Sequence, residues 1–129
     1  MVNMTEDAKW HWAEGNKYAL EAAKAILLVN GAAAVATLTF IGNLKLQPTP
    51  GLVWSMVIFA VAALASALLF IFAYFAQLYY GNANIRWAWR WHSCTYILLI
   101  VIAVLFISGI ALAAHGFFNL PHANPCDFS

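Results

Sequence analysis

The sequence is short of charge, and that shortage excludes several classes of protein. Lys and Arg number six and Asp and Glu five, so 9% of the 129 residues are charged, against about 25% in an ordinary soluble domain. So few charges cannot cover a water-facing surface, and a soluble enzyme is therefore not expected. The 64% apolar composition excludes a disordered chain. A net charge of +1 lacks the dense basic stripe that nucleic acid requires, so no nucleic-acid partner is expected.

The few charges leave three long charge-free intervals, at residues 25–44, 46–85 and 91–126. A helix that crosses about 30 Å of hydrocarbon needs about 20 apolar residues, so each interval can hold one crossing. The middle interval could hold two by length alone, but Gln47, Pro48, Pro50 and the segment 81–84 limit it to one. Pro48 and Pro50 end the first helix, and the Gly-Asn-Ala-Asn segment 81–84, with Gly81 as C-cap glycine, ends the second. The sequence predicts an all-α integral membrane protein with spans at about 23–44, 52–80 and 93–118 and a tail at 119–129.

Residues 1–22 are predicted to form an amphipathic helical arm, which is continuous with the first span or kinked from it at Gly15. Thr5 is the expected N-cap. Such an arm either lies in the membrane interface or stands in the cytoplasm and packs against copies of itself or a protein partner. Oppositely charged pairs three residues apart support the helix: Glu6 with Lys9, Glu14 with Lys17, and Glu21 with Lys24.

Basic residues fall mainly on one side of the predicted membrane. Lys45 lies alone in the first loop, and the other five belong to the arm or the second loop: Lys9, Lys17, Lys24, Arg86 and Arg90. Since basic residues near span ends stay inside, we expect a cytoplasmic N-terminus and an external C-terminus in a bacterial inner membrane.

Aromatic residues cluster at the predicted span ends, where their rings meet both lipid and water. We interpret them as interfacial anchors that contact membrane lipids, with the segment 86–91 alternatively docking a partner or taking part in gating. The anchor residues are Trp10, Trp12, Trp54, Arg86, Trp87, Trp89, Arg90 and Trp91.

Residues suited to catalysis or metal binding are scarce. No span carries a charge at its centre, which argues against an ion-coupled transporter. His115, His122 and Cys126 have ligand chemistry suitable for zinc or copper, but their spacing matches no defined site. Cys94 lies at the opposite end of the third span from Cys126, so no intrachain disulfide is expected. The sequence predicts no cofactor, no metal and no enzymatic activity.

Polar side chains recur at helical spacing within the spans and have two interpretations. They either pack helices together by hydrogen bonding, or line a narrow pore at the axis of a homo-oligomer, since one three-span subunit cannot enclose an aqueous path. The positions are Asn30, Thr37, Ser66, Gln77 and Ser108.

The size and three-span plan resemble those of phage holins and of small membrane effectors in bacterial anti-phage systems, by architecture alone. Three-span holins generally place the N-terminus outside, opposite to the orientation predicted here. The scarcity of residues suited to chemistry, the polar positions in the spans and an arm suited to self-association favour a homo-oligomeric channel or membrane-permeabilising effector. The alternative is a structural or accessory subunit that anchors a larger membrane complex, and a haem- or metal-binding redox subunit is a distant third.

The predicted orientation can be tested with reporter fusions in bacteria. A fluorescent protein that folds only in the cytoplasm is expected to fluoresce at the N-terminus, and alkaline phosphatase is expected to be active at the C-terminus. An active phosphatase fused at the N-terminus would contradict the orientation, because the distribution of basic residues would then have failed to set it.

Overall fold

Three long helices, without a strand in the described residues, make up the fold of the computed structural model. It describes residues 6–44, 47–82 and 84–120, and of the side chains before Lys17 only those of Trp10 and Glu14. The helices are α1 (Glu6–Asn43), α2 (Pro50–Gly81) and α3 (Ile85–Phe118). Each contains a stretch long and apolar enough to cross a membrane: Lys17–Asn43, Pro50–Gly81 and Ile85–Phe118. The expected all-α, three-span fold is confirmed.

Helix α1 continues without a break from the arm into the first span, over 38 residues. Gly15 does not end it. Two of the expected ion pairs are present, with Lys17 Nζ 3.0 Å from Glu14 Oε2 and Lys24 Nζ 2.7 Å from Glu21 Oε1. The Glu6–Lys9 pair and Thr5 lie outside the described side chains.

The turn between α1 and α2 follows from proline chemistry. Pro50 is the first residue of α2, where a missing N–H costs nothing because that group has no partner within the helix. Thr49 precedes it as N-cap but makes no side-chain capping bond. Instead, its Oγ1 donates to the carbonyl oxygen of Gly116 at 3.0 Å, which ties the start of α2 to the end of α3.

The turn between α2 and α3 differs from expectation in two respects. Gly81 is the last helical residue and not the cap, since Asn82 is the C-cap with a φ of −84°, so no left-handed residue is needed there. Helix α3 begins at Ile85, eight residues before the predicted start of the third span. Asn84 is its N-cap. Residues 85–92 are helical throughout, so the segment with the Arg and Trp residues forms the first turns of α3.

Helix α2 packs against both other helices, and its contact with α3 is the closer one. Two glycines of α3 permit this approach. A Cβ added at Gly116 would lie 2.7 Å from the backbone nitrogen of Leu52, and one at Gly109 would lie 2.7 Å from the Phe59 ring. Since only glycine leaves that space free, these positions set the distance between α2 and α3.

Helix α1 is held more loosely than the others. Only 6% of its most apolar stretch is buried, against 22% for α2. Its contacts include those of Ala23 with the core residues Leu69 of α2 and Ile102 of α3. Phe40 also forms a ring pair with Phe117 of α3, with centroids 4.7 Å apart. Large apolar side chains face outward on all three helices, as hydrocarbon surroundings require.

The tight α2–α3 contact predicts opposite results for one substitution at two glycines. Gly116→Ala would force a Cβ against backbone atoms and is expected to reduce stability by about 1–3 kcal/mol. Gly31→Ala, with nothing within 4 Å of the new Cβ, is expected to leave stability unchanged or raise it slightly. Thermal unfolding in mild detergent, followed by circular dichroism, measures both, and equal effects would contradict this account of the packing.

Candidate functional site

The polar side chains at mid-span point into the interior of the single subunit. Asn30 is the middle residue of the Lys17–Asn43 stretch and is 2% exposed. Ser66, at the middle of α2, is 1% exposed. Both therefore lie between the helices of one subunit and away from its lipid-facing surface.

Hydrogen bonds from these side chains return to their own helices. Asn30 Nδ2 donates to the carbonyl oxygen of Ile26 at 2.9 Å, and Ser66 Oγ donates to that of Ala62 at 2.7 Å. Thr37 Oγ1, in a half-buried side chain, donates to the Ala33 carbonyl oxygen at 2.8 Å. These donors are thus satisfied within one helix and do not bridge neighbouring helices.

The remaining two predicted polar positions lie elsewhere in the bundle. Gln77 is exposed and follows Ser66 by eleven residues, about 16 Å along the helix axis. Ser108 is half-buried on α3. Asn30 and Ser66 therefore each lie near the middle of their own span, and the structure does not gather all five side chains into one site.

A cavity opens where the beginning of the first span meets the end of α2 and the beginning of α3, and we call it the arm-end cavity. Its volume is about 270 Å³. Small side chains of α1, at Ala19, Ala22 and Ala23, leave the space. The polar lining comes from α2 and α3 and comprises Gln77, Tyr80, His92, Thr95 and Tyr96.

Sequence reasoning did not identify this polar cluster as a site. The His92 and Tyr96 rings are perpendicular with centroids 4.9 Å apart, and Tyr80 lies across from His92 at 6.3 Å. Because His92 and Tyr96 are four residues apart, their spacing in the sequence predicts that both lie on one face of a helix. The approach of Tyr80 requires the α2–α3 turn geometry, which spacing alone does not contain.

A second recess, the α1–α3 groove, runs along the middle of the bundle and has a volume of about 420 Å³. Asn30 is its one polar lining side chain. Ile26 and Leu99 line both this groove and the arm-end cavity, so the two recesses adjoin. The other lining residues are apolar: Ala25, Val29, Ile102, Ala103 and Phe106.

The aromatic group at the start of α3 divides between two faces. Trp91 stacks on Phe75 of α2 at 5.0 Å and meets Phe72 edge-on at 5.4 Å. Trp89, two residues earlier, is 66% exposed. The guanidinium carbon of Arg90 lies 4.9 Å from the Trp87 ring centroid, a cation–π distance. Trp10, Trp54 and Arg86 are also exposed, and the Trp12 side chain lies outside the described residues.

The candidate metal ligands are only partly within the described chain. His115 Nε2 lies 3.0 Å from Asn119 Nδ2. His122 and Cys126 lie outside the described residues. Within the part of the chain that the structure describes, no three His, Cys, Asp or Glu side chains come together as a metal site. Cys94 is an exposed free thiol.

No protein-family profile, curated protein or solved structure matches the chain.

The two faces of the aromatic segment predict different effects for two nearby tryptophans. Trp91→Ala removes two aromatic pairs with α2 and is expected to destabilise the bundle by about 1–3 kcal/mol. Trp89→Ala is the matched control, because this exposed ring adds little to the packing of the subunit. Unfolding in mild detergent compares them, and equal destabilisation would contradict the assignment of Trp91 to the α2 contact.

Proposed function

We propose that this chain is a small non-enzymatic membrane protein that works as a homo-oligomer, of the channel-forming or membrane-permeabilising type. The observation that carries the proposal is an exposed face on the second half of α1, which we call the small-residue face. Its members recur every three or four residues and are Ala32, Ala36, Thr39 and Asn43, all exposed in the single subunit.

Such a face suits contact with another helix better than contact with lipid. In hydrocarbon, helices associate through close packing and hydrogen bonds, and small residues four apart, such as Ala32 and Ala36, let backbones approach. The exposed surfaces of α2 and α3 carry mostly large Val, Leu and Ile side chains in their middle portions. Because α1 is also the least buried helix, it is free to pack against a second copy.

The position of a conducting path follows from the interior of the subunit. Ala23, Leu69 and Ile102 form the core between the helices, and Asn30 and Ser66 are enclosed beside it. A path would therefore run between subunits, beside the helix contacts that the small-residue face makes. Spans without a mid-membrane charge favour passive permeation over ion-coupled transport.

Cysteine cross-linking tests the assembly directly. In a Cys94→Ser, Cys126→Ser background, Ala36→Cys is expected to form a disulfide-linked dimer under mild oxidation in membranes. Leu38→Cys is the control, since two residues on a helix turn the side chain away by about 200°. Cross-linking of the Leu38→Cys variant but not of the Ala36→Cys variant would contradict the proposed face.

Conductance tests the function. Ala36→Leu is expected to weaken self-association by about tenfold and to lower current in planar bilayers in parallel, whereas Ala67→Leu, at an exposed position of α2, leaves both unchanged. A monodisperse monomer without conductance would overturn the proposal. A stable oligomer that does not conduct would retain the assembly and overturn the channel.

A structural or accessory subunit is the second candidate, favoured by exposed aromatic rings on the arm and at the start of α3, at Trp10, Tyr18 and Trp89. Such rings suit the rim of a protein contact as well as a lipid headgroup layer. This function predicts that the Ala36→Cys variant cross-links to a different polypeptide in native membranes and that the partner co-purifies in fixed stoichiometry.

A further inference from the structure

The arm-end cavity is lined by polar side chains whose hydrogen-bonding groups are not used within the bundle. For His92 and Tyr96 the structure gives ring contacts but no side-chain hydrogen bond to another described residue. Gln77 is exposed and likewise forms no side-chain hydrogen bond within the part of the chain that is described. An imidazole, a phenol and a carboxamide thus offer N–H and O–H donors to a molecule in the cavity.

The arm-end cavity suits an uncharged ligand. None of its described lining residues is Lys, Arg, Asp or Glu. The Arg90 guanidinium lies on the Trp87 ring, and neither of these residues belongs to the described lining. A phosphate head group in the cavity would therefore lose its hydration without gaining a counter-charge.

The walls of the cavity favour a flat ring. Aromatic rings prefer to stack on a further ring or to meet it edge-on, with centroids about 4.5–7 Å apart. Because the His92 and Tyr96 rings are perpendicular, a ring that stacks on one meets the other by its edge. The opposite walls are alanines of α1 and α2, at Ala19, Ala22, Ala73 and Ala76. These short side chains leave room for a ring but offer a head group no hydrogen bond.

The α1–α3 groove extends this site toward mid-span and presents almost only apolar atoms at its surface. Ile26 and Leu99 line both recesses, so an apolar chain attached to a ring in the cavity lies along the groove walls at Ile102 and Phe106. The groove volume, about 420 Å³, and that of the cavity, about 270 Å³, together suit a small molecule, whose sites measure about 300–1,000 Å³. The ligand is therefore polar at one end and apolar along its length.

We propose that each subunit binds a lipid-soluble quinone, with its ring in the arm-end cavity, its carbonyl oxygens accepting hydrogen bonds from His92 and Tyr96, and its apolar tail in the α1–α3 groove. A quinone meets each requirement, because it is uncharged and flat, carries acceptors for the free donors and is attached to a long apolar chain. The site belongs to a single subunit, so the proposal does not rest on the assembly argued above.

Photolabelling in vesicles tests the proposal. The full chain is reconstituted in phosphatidylcholine vesicles with a trimethylbenzoquinone whose decyl tail carries a mid-chain diazirine, or with the corresponding trimethylbenzene, which lacks only the carbonyl oxygens. Labelling is measured relative to the lipid-facing residues Val61 and Leu64. The quinone is expected to label residues 25–29 and 102–106 about fivefold to tenfold more than the arene, the factor that one hydrogen bond provides. Mass spectrometry maps the labelled positions.

Substitutions separate the hydrogen bonds from the shape of the cavity. His92→Phe and Tyr96→Phe each keep a ring and lose a donor, and the double variant is expected to abolish the preference for the quinone. Tyr74→Phe is the matched control, since Tyr74 is exposed on α2 outside the cavity lining, and it is expected to label like the unmodified chain. Ala22→Phe fills the cavity from an exposed position and is expected to reduce quinone labelling of the groove to the level of the arene. Circular dichroism checks that each variant retains its helices, and Ala22→Phe keeps the test decisive if the double variant does not fold.

Competition distinguishes a quinone from other lipids. An unlabelled benzoquinone and a naphthoquinone with isoprenoid tails, a diacylglycerol and a phosphatidylglycerol are added in separate arms, and one of the quinones is expected to displace the probe at the lowest concentration. Stronger displacement by the diacylglycerol or the phosphatidylglycerol would overturn the proposal, as would equal labelling of the groove by quinone and arene in the unmodified chain. Labelling is expected to persist in the Ala36→Leu variant, in which self-association is weakened, so the two proposals can fail separately.

Discussion

Within hydrocarbon, every backbone N–H and C=O must find its partner in its own segment, and this constraint shapes the whole bundle. It requires three uninterrupted helices and confines the chain's breaks to the two turns, with Pro50 opening α2 and Asn84 capping α3. It also explains why Thr37 and Ser66 donate to carbonyl oxygens of their own helices. A hydroxyl that donates to its own helix keeps this partner however the neighbouring helices are placed. Such a hydrogen bond therefore does not fix the arrangement of the helices.

Because the hydrogen bonds of the mid-span hydroxyls do not set the arrangement, side-chain size does. At Gly109 and Gly116, α3 presents no side chain, and α2 comes close enough for its Phe59 ring and Leu52 backbone to occupy that space. Thr49 then reaches the Gly116 carbonyl oxygen. Helix α1 packs against α2, and two recesses lie beside it, the arm-end cavity and the α1–α3 groove. The bundle therefore consists of one closely packed pair, α2 with α3, and of a first helix whose apolar stretch is less buried.

Element type and number were predictable because hydropathy and proline chemistry act locally. Three spans and the break at Pro48–Pro50 needed only the composition of each segment, whereas the sequence left open whether α1 is kinked at Gly15. The prediction that Gly81 caps α2 was wrong, because a glycine that can cap a helix is also tolerated as its last residue. Which of the two positions it takes depends on where α3 begins. The inward orientation of Asn30 and the meeting of Tyr80 with His92 depend on helix rotation and on the α2–α3 turn. Since apolar side chains surround every span, an amphipathic pattern that would reveal that rotation is absent from the sequence.

The interior position of Asn30 bears on both interpretations of its polarity, pore lining and helix packing. A polar residue repeated along a span is equally compatible with a pore and with packing as long as its direction is unknown. Once Asn30 is enclosed beside the core with one acceptor unmatched, it neither faces a path between subunits nor joins two helices. A leucine of similar volume would fill the same space without the desolvation cost. Asn30 therefore contributes to neither interpretation, and the proposed assembly depends on the separate small-residue face of α1, which is exposed in the single subunit.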